Sequence, residues 1–80
     1  MNRQPVQSRL IRSVGFDADA SILEVEMVEA GRVYRYFDVP YSVAEELMSA
    51  ESKGVHFNEH VRDVYAYEEA EAGGTGGTGD

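Results

Sequence analysis

Residues 21–28, Ser-Ile-Leu-Glu-Val-Glu-Met-Val, alternate apolar and acidic side chains, and a period of two confines such a segment to a half-buried strand. Leu23, Val25 and Met27 fall on one face, Glu24 and Glu26 on the other. The short connection Glu29-Ala30-Gly31-Arg32 follows, with Gly31 suited to the positive φ of a tight hairpin. Residues 32–39, Arg-Val-Tyr-Arg-Tyr-Phe-Asp-Val, then form a second strand of β-branched and aromatic residues, on which Tyr34 and Tyr36 point the same way. Upstream, residues 6–17 predict a preceding strand. Val14 and Phe16 alternate there, while Ile11 is out of phase by one, as a bulge would allow. The turn-forming residues 17–21 link this strand to the next. The expectation is a three-stranded antiparallel meander.

Pro40 cannot donate to a ladder and ends the sheet. Ser42 and Glu45 match a capping box, predicting a helix from about residue 43 to 51 with Val43, Leu47 and Ala50 on its apolar stripe. Lys53 lies near the negative end of that helix and Gly54 is available to stop it. A second helix is expected over residues 55–64, with Phe57, Val61 and Val64 as its stripe and Tyr65 beside it. The fold class expected is therefore α+β: the meander followed by two short C-terminal helices. Residues 1–5 read as a flexible start, residues 6–67 as the domain and residues 68–80 as a disordered acidic tail holding five of the eight glycines. Its Gly-Gly-Thr-Gly-Gly-Thr-Gly run has no lysine, preceding strand or following helix to make it a phosphate loop.

A chain of 80 residues holds one domain, and one this short buries only about 60% of the surface its unfolded form exposes. Without cysteine it has neither disulfides nor a thiolate metal site to supplement its core, which points to the reducing cytoplasm. No apolar run approaches a membrane span, and the first residues do not resemble a signal peptide. The net charge of −8 argues against general nucleic-acid affinity. Its distribution is uneven, however, for Arg3, Arg9 and Arg12 stand in an acid-free first sixteen residues. A monomer without cofactor is expected.

The chain resembles the KTSC domain family, small modules found at the C-terminus of some lysyl-tRNA synthetases and as stand-alone bacterial proteins. The resemblance is carried by Ser8, Ile11, Val14, Gly15, Phe16 and Asp17, by Leu23-Glu24-Val25, by Tyr34-Arg35-Tyr36 and by Val39-Pro40. It continues through Ser52-Lys53-Gly54, Phe57-Asn58, His60-Val61-Arg62 and Tyr65. Their order and spacing, more than any single motif, make it specific. Phe16 replaces the tyrosine usual in the family, and His56 stands at a variable, often aromatic position. The resemblance implies a compact α+β domain and a proposed role in RNA binding, with no established activity.

His56-Phe57-Asn58-Glu59-His60 spells the inverted zinc-protease motif, but only twenty residues follow to supply a third ligand and a cleft. A metal-dependent activity through His56 and His60 is the remote reading; a surface His56 and a hydrogen-bonded His60 is the expected one. Ser42 and Ser52 read as caps rather than nucleophiles, and the adjacent Glu45 and Glu46 do not face each other on a helix. An enzyme is not expected. Tyr34 and Tyr36 could stack unpaired bases, but in a chain poor in large apolar residues they are expected to pack under the helices. Lys53, Asn58, His60 and Arg62 form the remaining polar set. The structural expectation has Asn58 bonding backbone near Gly54 and Arg62 bridging an acid of the sheet. The functional one directs Lys53 and Arg62 at a phosphate or carboxylate. Two partners compete: RNA, held by Arg9, Arg12, Arg35, Lys53 and Arg62 with Tyr34 or Tyr36 stacking, or a protein that docks on an acidic module. Family context favours RNA.

Overall fold

The computed structural model describes residues 3–70. Its elements run β1 (Gln4–Pro5), β2 (Ile11–Asp17), β3 (Ile22–Met27), a 3-10 turn (Glu29–Gly31), β4 (Val33–Tyr36), α1 (Tyr41–Ser49), α2 (Lys53–His60) and β5 (Tyr67–Ala70). The strands form one antiparallel sheet in chain order. Both helices fall between β4 and β5 and pack on one face.

The central three strands lie where the alternation placed them. Leu23 pairs with Phe16 and Tyr36, and Val25 with Val14 and Tyr34, so the apolar sets of β2, β3 and β4 share a face. The register shifts between Ile11 and Ser13, which returns the out-of-phase Ile11 to the core. Asp17 closes the β2–β3 turn: its Oδ1 accepts the backbone N–H groups of Asp19 at 3.1 Å and Ala20 at 3.2 Å. Gly31 has φ +60°, as the hairpin required, and Ala30 shares that left-handed conformation.

The sheet has five strands rather than three. Gln4–Pro5, assigned to a flexible start, pairs with β2, and residues 68–70, assigned to the tail, belong to β5. Residues 71–80 lie outside the described part. β5 has no apolar alternation because it is an exposed edge; its backbone pairs with β4, and Arg32–Glu69 (3.2 Å) and Arg35–Glu68 (3.6 Å) join side chains across that pairing.

Three local expectations also change. α1 begins at Tyr41, with Pro40 extended at the cap position and no side-chain capping bond, so Ser42 sits inside the first turn. Gly54 lies within α2 instead of ending α1; a Cβ on it would stand 3.3 Å from Leu10 Cβ, and this close approach is the reason for glycine there. α2 ends at His60, four residues short of the expected boundary, because the Phe57 carbonyl accepts both the Val61 and Arg62 N–H groups and Val61 leaves helical geometry. Val64 therefore rotates into solvent, while Phe57 and Val61 stay buried.

The core comprises Ile11, Val14, Leu23, Val25 and Tyr36 from the sheet, Val39 just after it, and Ala44, Leu47, Phe57 and Val61 from the helical side. The opposite sheet face is polar. There Glu24, only 5% exposed, accepts Arg3 Nη1 at 2.7 Å and Arg35 Nε at 2.9 Å, and Ser13 Oγ donates to Glu26 at 2.7 Å. No helix among the described residues is long and apolar enough to cross a membrane.

Candidate functional site

On the helix-bearing side of the sheet, a pocket of about 420 Å³ opens beside β4 and β5. Its aromatic wall is Tyr34, Tyr36 and Tyr67 with Phe57 from α2; Leu10 and Met27 add apolar surface, and Arg32, Arg62, Glu29 and Asp63 supply charge. The rings form a continuous series. Phe57 meets Tyr36 edge-on at 5.6 Å between centroids, Tyr36 lies 5.3 Å from Tyr67, and Tyr67 meets Tyr34 edge-on at 5.7 Å.

The strand register produces this series. Tyr34 and Tyr36 are two apart on β4, and Tyr67 is the cross-strand partner of Tyr36 on β5. Burial pushes the Tyr36 hydroxyl up to about 12, helped by the neighbouring Tyr67 and opposed by the positive charge of Arg62. Tyr36 thus keeps its proton through the physiological range and remains a donor.

Of the residues singled out in the sequence, Tyr34, Tyr36 and Arg62 meet at this pocket. Tyr36 is 3% exposed and fills core beneath α2, whereas Tyr34 is half-buried. Arg35 points to the opposite face, where its bond to Glu24, outweighing partial desolvation, raises its already high pKa. Lys53 Nζ donates to the Ala50 carbonyl at 3.0 Å, holding the end of α1. Asn58 does not reach backbone near Gly54, and Arg62 does not bridge an acid of the sheet. Instead Arg62 Nη1 donates to Asn58 Oδ1 at 3.3 Å across the end of α2, which steers the guanidinium beside the pocket.

His60 is exposed, with Nε2 3.8 Å from Glu59 Oε1, and its ring lies 4.5 Å from that of His56. His56 is half-buried rather than on the surface, and its Nε2 has no partner among the described residues. No three His, Asp or Glu side chains among the described residues are grouped to hold a metal ion. Sequence reasoning missed Tyr67, Arg32, Glu29 and Asp63 as pocket residues. Tyr67 carries the one signal that could have found it: an aromatic just beyond the last helix, ready to pair with the aromatic strand.

These elements define a small α+β domain: a five-stranded antiparallel meander with a helix pair on one face and an aromatic pocket at the rim of that face. The chain belongs to the KTSC domain family, whose sequence pattern matches residues 7–65. It is similar to a crystallographically determined KTSC domain protein from Yersinia pestis, with a TM-score of 0.83 and 36% identity, covering 86% of this chain and 96% of that one. An uncharacterized protein of Stutzerimonas stutzeri is 46% identical over 59 residues, 74% of this chain and 82% of that protein. A lysine–tRNA ligase of Nostoc punctiforme is 35% identical over 63 residues, which are 79% of this chain but 11% of the ligase.

Proposed function

We propose that the domain is a non-catalytic binding module for unpaired RNA, with bases lying against the aromatic wall and phosphate meeting Arg62. The observation that carries this reading is the juxtaposition of a tyrosine series with the guanidinium of Arg62, which is in no ion pair among the described residues, at one pocket. Planar rings stack on bases irrespective of sequence, and guanidinium groups bond phosphate oxygens through two donors. The opposite sheet face is a poor alternative, since Arg3 and Arg35 are already neutralised there by Glu24 and Glu68.

Arg62 is in no ion pair among the described residues, and neither are Arg9 or Arg12. The ligase relatives supply a context in which an RNA is at hand. A binding role fits the pocket better than chemistry, because its lining has carboxylates but no serine, cysteine, lysine or histidine to pair as nucleophile and base. The cysteine-free chain suits the cytoplasm. The net charge of −8 and the acidic edge strand β5 favour a second reading, a module that docks a basic protein segment.

Fluorescence anisotropy with labelled single-stranded RNA at about 50 mM salt separates the two. RNA recognition predicts binding tighter than about 10⁻⁴ M, falling as salt rises with a slope of roughly 0.7 per phosphate contact, and a weaker complex for Arg62→Ala. No saturable binding would leave the protein-docking reading in its place, and an Arg62→Ala protein that binds as the wild type does would remove the RNA contact from this pocket.

A further inference from the structure

We infer that Tyr67, on the edge strand β5, is the ring on which the bound base stacks, and that the ligand unit at this pocket is a single unpaired nucleobase. This rests on the RNA reading above and assigns the contact within it. Tyr36 cannot serve, because it is 3% exposed and held beneath α2 against Phe57. Tyr67 is 56% exposed. It is also supported from two sides, by Tyr36 at 5.3 Å and by Tyr34 at 5.7 Å, so little side-chain freedom remains to be lost when a base settles on it.

The 5.7 Å edge-on contact leaves no slot for a base between Tyr67 and Tyr34, since parallel rings on either side of a base need about 7 Å. A base therefore lies on the free side of Tyr67, in a pocket of about 420 Å³. Arg62, steered by Asn58, stands at the same pocket to meet the attached phosphate. The match to the family ends at residue 65, two positions before this ring. Tyr67 thus lies just past the matched sequence pattern, on the strand that completes the sheet.

The test compares full-length wild type with Tyr67→Ala, Tyr67→Leu, Tyr67→Phe and Arg62→Ala in the anisotropy titration, with circular dichroism checking the fold. Loss of a stacking ring predicts roughly tenfold weaker binding for Tyr67→Ala, on the order of one base stack. Tyr67→Leu retains apolar bulk on β5 and loses the π face, so it weakens binding comparably even if the alanine variant is partly unfolded. Tyr67→Phe binds within about twofold of wild type, because the ring and not the hydroxyl makes the contact. The salt slope stays unchanged in the Tyr67 variants and falls by about 0.7 in Arg62→Ala, as electrostatic and stacking contributions require.

Wild-type affinity in Tyr67→Leu alongside a weakened Arg62→Ala would overturn the stacking role and leave RNA binding standing. So would a Tyr67→Phe loss as large as that of Tyr67→Leu. Absence of binding by the wild type would remove both.

Discussion

Replacing Glu24 by glutamine changes almost no volume and removes one charge from the middle of the polar sheet face. The native carboxylate is 5% exposed and accepts Arg3 at 2.7 Å and Arg35 at 2.9 Å, one arginine on each oxygen. Glutamine keeps one acceptor and turns an NH₂ group toward a guanidinium, so one charge-assisted bond is lost and two donors face each other. Such a bond contributes about 1.5–3 kcal/mol, and breaking a fully buried pair costs about 3–5 kcal/mol. The arginine side chains are 29% and 43% exposed, and can turn to water. The cost is therefore set near the lower figure, about 2 kcal/mol, or a fall in Tm of roughly 10 °C for a domain of this size.

The same carboxylate gives a pH signature. Burial works to raise its pKa, but the hydrogen bonds and charges of Arg35 and Arg3 outweigh burial and hold it below the ordinary carboxylate range. The folded state thus keeps Glu24 ionised where the unfolded chain would protonate it. Its stabilisation is complete above about pH 4.5 and is lost as pH falls through the lower folded value. Urea denaturation followed by circular dichroism at pH 7 and at pH 3 measures this directly. The gap between wild type and Glu24→Gln is expected to be widest at pH 7 and to narrow at pH 3. Equal midpoints at pH 7, or a gap that widens on acidification, would show that the Glu24 carboxylate does not stabilise this face.

Phe57→Ala removes a ring that is 1% exposed and packed edge-on against Tyr36. The expected loss of about 3–5 kcal/mol is most of what a domain this small has, so thermal melts should show a largely unfolded population at 37 °C. Ala30→Gly should stabilise the protein by about 0.5 kcal/mol: Ala30 holds φ +60°, where an L side chain costs about 1–2 kcal/mol, partly offset by the greater freedom of glycine in the unfolded chain. Gly31→Ala, at the adjacent left-handed position, should cost about 1 kcal/mol; a urea midpoint moving the other way in either variant would contradict the turn geometry.

What the sequence disclosed follows the strength of its periodicity. β3 was legible because its side chains alternate, β4 because its residues are β-branched and aromatic, and Phe57 and Val61 because they are spaced one helical turn apart. β5 was hidden because a strand at an exposed edge is held by backbone pairing and by cross-strand ion pairs to Arg32 and Arg35, residues about thirty-five positions away. No local pattern encodes that register. The capping box at Ser42 misled for a related reason: with Pro40 at the cap position the helix starts two residues too early for the Ser42 hydroxyl to cap it.

The candidate site was half legible. Tyr34, Tyr36 and Arg62 were readable as a polar and aromatic set, but which of them reach solvent depends on how α2 lies over β4. Arg35 shows the limit: it sits between the two tyrosines and so on the other face, where Glu24 and Glu68 hold it away from the pocket.

We propose recognition at the tyrosine pocket and not on the polar sheet face. Titrating a short unpaired RNA into isotope-labelled protein and following its amide and side-chain resonances tests this most directly. Shifts concentrated at Tyr34, Arg62, Asp63 and Tyr67, with Arg3, Glu24 and Arg35 unmoved, are the result expected; shifts centred on Arg3 and Arg35, or none at saturating RNA, would contradict it.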